Sequence, residues 1–312
     1  MKPACIQITG PTVFDFDSFP DSVCAIIDDH IGHDSDNSGF QHLNNLMNQQ
    51  PNTQVFIEYA LSETCSRATA IPWWFIQEAE RLKANTPHTP WGTKSETFSF
   101  MINKLRGSRV RVLQSLIRNN LQTNTYTLVS NQCPEYPAQY YENEHTVKLE
   151  TAILNKGCNN IVIYNSYTRE HVFEPAYIHI ITEPGWLEES TFITEKSVFP
   201  FEAGCIPIWS GGWKQPAWFR AQGFDVFDDI VDHSYENLPT ANQRLQASIE
   251  LNKNLLQNKD LAADFFEANR SRFEANRELI RSDTLIAKYV NQINDLSLDD
   301  YYKKKLLELL YL

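Results

Sequence analysis

The side chains best suited to chemistry lie in one short segment, Thr194-Glu195-Lys196. The surrounding pattern predicts that this segment opens a helix. A helix N-terminus presents unpaired backbone N–H groups and a partial positive charge, both of which favour phosphate. Lys196 adds a full positive charge, and the Glu195 carboxylate can accept two hydrogen bonds from the vicinal hydroxyls of a ribose. The pair therefore fits a nucleoside diphosphate, although an ordinary N-cap followed by a solvated lysine fits the same triplet.

Two predicted strands enclose this segment. The first, Ile178–Ile181, runs into a polar turn that contains Glu183, and the second, Ile206–Trp209, begins shortly after Gly204. The resulting strand–loop–helix–strand unit concentrates polar groups after the strands. Open α/β sheets bind their ligands at the carboxyl ends of their strands, so the context favours a ligand site over a plain helix cap.

The rest of the chain supplies the elements that would position such a site. Apolar, β-branched runs alternate with helical patterns, which indicates an α/β protein with mainly parallel sheets. The predicted strands are Cys5–Thr9, Val23–Ile27, Val55–Leu61, Tyr126–Val129, Ile161–Tyr164, Tyr177–Thr182 and Ile206–Trp209. The predicted helices are Pro72–Ala84, Arg106–Asn119 and Glu195–Ala203, followed by a helical C-terminal segment at Thr240–Leu256, Asp260–Arg281, Thr284–Ile293 and Leu298–Leu310.

A polar stretch that includes Pro134 and Pro137 occupies Asn131–Lys156 and predicts a domain boundary. We expect residues 1–140 to form an N-terminal α/β lobe. We expect residues 141–312 to form a second lobe that holds the ligand unit and the C-terminal helices.

The run from Ile180 to Gly211 resembles the donor-binding motif of the α1,3-fucosyltransferase-like glycosyltransferases. The matching elements are Ile181-Thr182-Glu183, Ile193-Thr194-Glu195-Lys196 and Gly204-Cys205-Ile206-Pro207-Ile208. Further segments are similar to related viral and phage glycosyltransferase-like proteins, namely 103–109, Gly223-Phe224-Asp225-Val226-Phe227 and Asp232-His233-Ser234-Tyr235. The resemblance is specific only from Ile180 to Tyr235.

This resemblance implies two Rossmann-like lobes of the GT-B type. It also implies an inverting transfer of sugar from a nucleoside-diphosphate sugar to a glycan or glycosylated acceptor. Glu195 would bind the ribose, Lys196 the diphosphate, and the turn at Glu183 would face the donor sugar or its ribose. That turn reads Thr-Glu-Pro here, where the fucosyltransferases have Phe-Glu-Asn, so the motif leaves the donor sugar open.

Two further groups would complete such a site. Arg106 and Arg109 share a helix face, where one of them would neutralise the departing diphosphate or both would form surface ion pairs. An inverting transfer also needs a carboxylate base near the acceptor hydroxyl. Glu58 and Glu63 flank the end of the predicted strand Val55–Leu61 and are the favoured candidates.

Two alternatives remain open at this level. Asp15-Phe16-Asp17 and Asp34-Ser35-Asp36 match the D-x-D pattern of metal-dependent GT-A glycosyltransferases, in which two carboxylates hold a divalent cation. This pattern arises easily in a chain with 39 acidic residues, so we expect no metal ligands and no required cofactor. The other alternative is a non-catalytic carbohydrate-binding protein on the same fold.

Composition limits the partners. The formal net charge of -12 opposes binding to nucleic acid. No run approaches 18 apolar residues, so we expect no membrane span. The first residues lack the apolar core of a signal peptide, and the six cysteines contain no C-x-x-C pair. These features predict a soluble, reduced, cytoplasmic protein.

Overall fold

The computed structural model describes residues 4–9, 23–28, 48, 54–57, 59–61, 69–102, 107–121, 126–128, 172–183, 190–296 and 300–310. The N-terminal strands are β1 (Ala4–Thr9), β2 (Val23–Asp28), β3 (Gln54–Ile57), β4 (Tyr59–Leu61) and β5 (Thr69–Ala70). Four of them form a parallel sheet in the order β1-β2-β3-β5. The predicted strand Val55–Leu61 is therefore two strands, because β4 pairs elsewhere.

A second parallel sheet contains β6 (Glu96–Ile102), β7 (Tyr126–Leu128), β8 (Ala176–Ile181) and β10 (Ile206–Trp209). Its order is β10-β8-β6-β7. All six residues of β8 are buried, as expected for a parallel strand covered on both faces. From β6 the chain adds β7 on one side and then β8 on the other. The winding direction therefore reverses between β6 and β8, and such sheets open a crevice at the carboxyl ends of the strands at that point.

A short antiparallel ladder joins the two halves of the chain. It pairs β4 with β9 (Ser190–Phe192), with Tyr59 opposite Phe192 and Leu61 opposite Ser190. Because β9 ends two residues before Thr194, β4 lies beside the segment that leads into Thr194-Glu195-Lys196.

Helices cover both faces of the second sheet. They are α1 (Trp73–Asn85), α2 (Gly107–Arg118), α3 (Val198–Glu202), α4 (Gln215–Ala221), α5 (Ala241–Leu251), α6 (Lys253–Gln257), α7 (Lys259–Ala268), α8 (Arg270–Arg281), α9 (Thr284–Asn294) and α10 (Asp300–Leu310). On one face, α1, α3, α4, α9 and α10 bury Ile181 and Trp209 of the sheet. On the other, α2, α5, α6 and α7 bury Phe100, Ile180 and Ile208. Helix α8 contributes to both cores.

The predicted α/β class with parallel sheets is confirmed, and the helical C-terminal segment is present. The predicted helix Thr240–Leu256 is divided at Asn252, and the predicted helix Asp260–Arg281 is divided at Asn269. At each break the asparagine side chain donates to the backbone carbonyl four residues earlier, at 3.0 Å and 2.9 Å respectively. These side-chain bonds compete with continuation of the helix. The predicted strand Ile161–Tyr164 lies outside the described residues.

The sheets do not divide where the sequence predicted a boundary. Residue 140 lies between β7 and β8, and both strands belong to the second sheet. The two sheets are separated between β5 and β6 instead, and α1, which lies in that interval, packs into the core of the second sheet. The GT-B arrangement of two facing lobes stays a prediction. Among the described residues, no helix is both long and apolar enough to cross a bilayer.

Candidate functional site

Glu183 lies just beyond the carboxyl end of β8 and is only 4% exposed. Its Oε1 atom accepts hydrogen bonds from the Thr194 backbone N–H at 3.1 Å and from Ser197 Oγ at 2.8 Å. Its Oε2 atom accepts one from Thr194 Oγ1 at 2.5 Å. Burial raises the pKa of Glu183, while the Lys196 charge opposes the increase. The carboxyl group thus holds segment 194–197 at the strand end, whereas the resemblance implied that this turn faces the donor.

Thr194 caps a 3-10 helix. This turn spans Glu195–Ser197, and α3 follows it directly with only five residues. Thr194 Oγ1 accepts a hydrogen bond from the Lys196 backbone N–H at 3.3 Å. The predicted helix Glu195–Ala203 therefore begins as a tighter and shorter element, so a long helix dipole does not contribute here. The positive charge offered to an anion at this turn is that of Lys196.

Glu195 and Lys196 are the accessible side chains of the turn, with 17% and 19% of their side-chain surface exposed. Lys196 Nζ donates to a Glu195 carboxylate oxygen and, at 3.3 Å, to Thr194 Oγ1. Burial of Glu195 opposes its ionisation, but the Lys196 charge and the hydrogen bonds outweigh burial and lower the pKa of Glu195. Glu195 is therefore a carboxylate at neutral pH and an acceptor of hydrogen bonds.

Helix α1 brings a second acidic side chain to this turn. Glu78 accepts from Arg81 Nε at 2.7 Å and from Arg81 Nη2 at 2.5 Å. Burial raises the pKa of Glu78, the Arg81 hydrogen bond and charge oppose the increase, and the nearby Glu195 charge adds to it. Nothing in the sequence of α1 marks Glu78 as a site residue, because the pattern does not show which face of the helix contacts a turn more than 100 residues further along the chain.

Ser197 ties the turn to the neighbouring strand. Its hydroxyl donates to Glu183 and accepts the Trp209 indole N–H at 3.1 Å. Trp209 ends β10, is fully buried and stacks on Phe219 with ring centroids 4.7 Å apart. The turn is therefore anchored to the carboxyl ends of both β8 and β10. Ser197 was also missed, since only the strand pairing shows which groups its hydroxyl reaches.

Two residues of the segment that resembles the donor-binding motif have structural roles. Gly204 has a φ of +64°, and a Cβ there would lie 2.7 Å from the Trp91 ring. The Trp91 indole N–H donates to the Glu202 carbonyl at 2.9 Å, which fixes the ring over the glycine. Pro207 lies in β10, which is at the edge of the second sheet among the described strands, and proline is tolerated at a sheet edge. Both residues shape the connection from α3 to β10.

The later segments of the resemblance also stabilise the fold. Asp225 accepts from Arg272 of α8, at 2.6 Å from Nε and 2.9 Å from Nη2. His233 Nε2 donates to the Val226 carbonyl at 3.0 Å, and its Nδ1 lies 3.0 Å from the Tyr235 hydroxyl. Burial lowers the pKa of His233, so the ring is neutral. The Asp225 contacts brace the segment after α4 against α8, and the His233 contacts fix that segment internally.

Of the remaining predicted site residues, Arg109 lies in the part of the chain that the structure describes. Arg109 lies in the first turn of α2 and is 4% exposed. Because α2 follows β6, this turn lies near the carboxyl ends of the strands of the second sheet, as Glu183 does. Arg106, Glu58 and Glu63 lie outside the described residues, as do both D-x-D pairs. In sequence, Glu58 directly precedes β4 and Glu63 follows it by two residues.

Comparison with known proteins adds no assignment. No protein-family model, no curated protein sequence and no solved structure matches the chain. The functional interpretation therefore rests on the side chains gathered at the carboxyl ends of β8 and β10.

Proposed function

We propose that this protein is an inverting glycosyltransferase that moves a sugar from a nucleoside-diphosphate sugar to a glycan or glycosylated acceptor. The observation that carries the proposal is the position of the Glu195–Lys196 pair. Both side chains are partly exposed, and their turn is fixed to the carboxyl end of β8 by buried Glu183. Strand β8 is one of the two strands at which the winding of the sheet reverses. Ligands of open α/β sheets bind at this place.

The chemistry of the pair matches the two halves of a nucleoside diphosphate. The Lys196 ammonium group leaves Glu195 and contacts the diphosphate, where a charge-assisted hydrogen bond is stronger than a neutral one. The freed Glu195 carboxylate accepts hydrogen bonds from the two ribose hydroxyls. Arg109 adds positive charge in the first turn of α2, at the same edge of the sheet.

The acceptor side of the proposal depends on the β4–β9 ladder. Glu58 and Glu63 flank β4 in sequence, and β4 pairs with the strand that ends two residues before Thr194. A carboxylate from this part of the chain serves as the base that removes the acceptor proton. In the two-lobed GT-B arrangement that we propose, the first parallel sheet forms the acceptor lobe.

The donor site is tested by nucleotide binding. Thermal-shift measurements with UDP, GDP, CMP and dTDP sugars should identify one donor that raises the melting temperature, since a ligand of the native state stabilises it. Lys196→Ala should weaken that binding about 10- to 100-fold, because a hydrogen bond to a charged group contributes roughly 1.5–3 kcal/mol. Lys304→Ala is the matched control, because Lys304 is 75% exposed on α10. Equal affinity of Lys196→Ala and the wild type by calorimetry would remove the phosphate assignment.

The transfer step needs its own measurement. Glu58→Gln or Glu63→Gln should stop sugar transfer while leaving donor affinity unchanged. Donor binding without transfer or donor hydrolysis would favour the carbohydrate-binding alternative. Loss of transfer in EDTA that magnesium restores would favour the metal-dependent alternative built on a D-x-D pair.

A further inference from the structure

Three side chains with metal-binding atoms meet outside the segment 183–197. His88 Nε2 lies 3.8 Å from Glu274 Oε2 and 3.6 Å from Glu278 Oε1. One ligand atom from each of the three residues falls within 4.8 Å of the other two. The side chains of His88, Glu274 and Glu278 are 47%, 45% and 64% exposed, so an ion from solvent has direct access to them.

The backbone on both sides of His88 is fixed to the helix that carries the two glutamates. Arg277 Nη1 donates to the Thr89 carbonyl at 2.8 Å, and Arg281 Nη1 donates to the Thr86 carbonyl at 3.0 Å. Both arginines are themselves held by the buried carboxylate of Glu202. The backbone segment that carries His88 is thus held against α8 at two points. Binding of an ion would therefore need to order little more than the side chains.

The two glutamates occupy adjacent turns of α8. Glu274 and Glu278 are four residues apart, which places their side chains on the same side of the helix. Like charges at this spacing destabilise a helix by a few tenths of a kcal/mol, and a cation between them removes that repulsion. The imidazole of His88 adds a third ligand atom, and a water molecule would supply the fourth ligand of a tetrahedral ion.

We infer that His88, Glu274 and Glu278 form a binding site for a divalent transition-metal ion, with zinc as the best fit. Ligand atoms about 2.1 Å from a tetrahedral zinc ion lie about 3.4 Å apart. The separations of 3.6 and 3.8 Å from the imidazole lie close to this value. The two carboxylate oxygens lie within 4.8 Å of each other, so rotation of the exposed glutamate side chains would close the site around the ion. An imidazole ligand favours zinc, copper or nickel over magnesium and calcium, which prefer oxygen ligands alone.

A bound ion would link α8 to the segment that carries His88, which follows α1. The unfolded chain does not hold His88 near Glu274 and Glu278, so binding favours the folded state. The site involves none of the residues proposed to bind the nucleotide or to activate the acceptor. Its test is therefore independent of the glycosyltransferase proposal.

Calorimetric titration of the full chain with zinc chloride tests the inference. The wild type should bind one equivalent saturably, and the ion should raise the melting temperature until EDTA is added. His88→Gln and Glu278→Gln should each lower the zinc affinity at least about tenfold, with circular dichroism unchanged because both side chains are about half exposed. Glu250→Gln, an exposed carboxylate on α5, is the control that should bind like the wild type.

Two outcomes overturn the inference. The first is the lack of saturable zinc binding to the wild type. The second is equal zinc affinity of the wild type and His88→Gln, which would assign the ion to other ligands such as the cysteines.

Discussion

At the scale of single residues, the requirement for glycine at position 204 is set by its backbone conformation and by a neighbouring ring. Its φ of +64° lies in the left-handed region, and the Trp91 ring occupies the place of a Cβ. A residue other than glycine pays about 1–3 kcal/mol for this backbone conformation, and displacement of a fixed ring adds to the cost. The glycine is therefore required by the turn from α3 to β10.

Gly204→Ala should lower the free energy of unfolding by about 2–4 kcal/mol. Gly92→Ala is a suitable comparison, because a Cβ there would meet only the end of the Glu174 side chain, at 3.1 Å. We expect Gly92→Ala to cost under about 1 kcal/mol. Urea denaturation of both variants gives the two values, and equal midpoints would contradict this explanation of Gly204.

The residues of the candidate site differ in how far sequence could identify them. Thr194, Glu195 and Lys196 are adjacent, so their chemistry is visible in the sequence and the structure keeps them together. Glu183 was identified as part of the turn, but its inward direction depends on hydrogen bonds to Thr194 and Ser197. Contacts of this kind follow from how strands and turns approach each other, and residue types do not reveal them.

At the scale of elements, a buried ion cluster joins α3 to α8. The Glu202 carboxylate is 1% exposed and accepts from Arg277 Nη2 at 3.0 Å and from Arg281 Nε at 2.9 Å. Breaking a buried ion pair by removing one partner leaves an uncompensated charge in the interior. This cluster thus connects the element that follows the candidate site to a helix near the end of the chain.

Glu202→Gln should lower the free energy of unfolding by about 3–5 kcal/mol, because two arginines lose their counter-charge. Glu267→Gln serves as the control, since the Glu267–Arg270 pair lies on the surface and surface pairs contribute little. The control should unfold at the same urea concentration as the wild type. An unchanged midpoint for Glu202→Gln would show that the cluster does not stabilise the fold.

Strand prediction succeeded where burial is uniform and failed where polar residues have internal partners. The bounds of β10 were predicted as observed, and β8 differs by one residue at each end. Strand β6 was not predicted, although Phe98 and Phe100 alternate with Thr97 and Ser99. Ser99 is buried because its hydroxyl lies 2.7 Å from His179 Nδ1 on the adjacent strand. That pairing turns a polar position into a core position, and only the strand order reveals it.

At the scale of the whole molecule, two buried histidines make stability depend on pH. Burial lowers the pKa of His179 to about 3 and also lowers that of His233. Between pH 3 and the ordinary value of 6.5, the unfolded chain binds a proton at His179 that the folded protein excludes. The contribution of neutral His179 to stability is therefore fully present well above pH 6.5 and is lost as the pH decreases below that value.

The stability of the wild type should decrease by up to about 1.4 kcal/mol for each pH unit below 6.5 from His179 alone. Urea denaturation at about pH 7.5 and about pH 5 measures this slope above the ordinary pKa range of carboxylates. The His179→Gln variant separates His179 from other groups that titrate in this interval, such as Glu183, whose pKa burial raises. His179→Gln should be less stable than the wild type at the higher pH but should have a shallower slope. Parallel slopes for the two proteins would show that His179 is not the group excluded from protonation.

The α/β class with parallel sheets was accessible from sequence, because runs of β-branched residues alternate with helical patterns. The division between the sheets was not, since α1 is shared with the core of the second sheet through residues such as Trp73 and Leu82. A linker-like composition marked residues 131–156, but strands on both sides of that stretch pair with β6. Composition indicates which segments are exposed to solvent, whereas the sheet to which a strand belongs depends on long-range pairing.

The ladder between β4 and β9 would have a thermodynamic consequence for the proposed transfer between two substrates. It is a direct hydrogen-bonded link between the half of the chain proposed to hold the acceptor and the turn proposed to hold the donor. If one substrate shifts β4, the shift is passed to β9, which ends two residues before Thr194. Each substrate would then alter the affinity for the other. Linkage requires the two effects to be equal: an acceptor that tightens donor binding tenfold is itself bound tenfold more tightly once the donor is present.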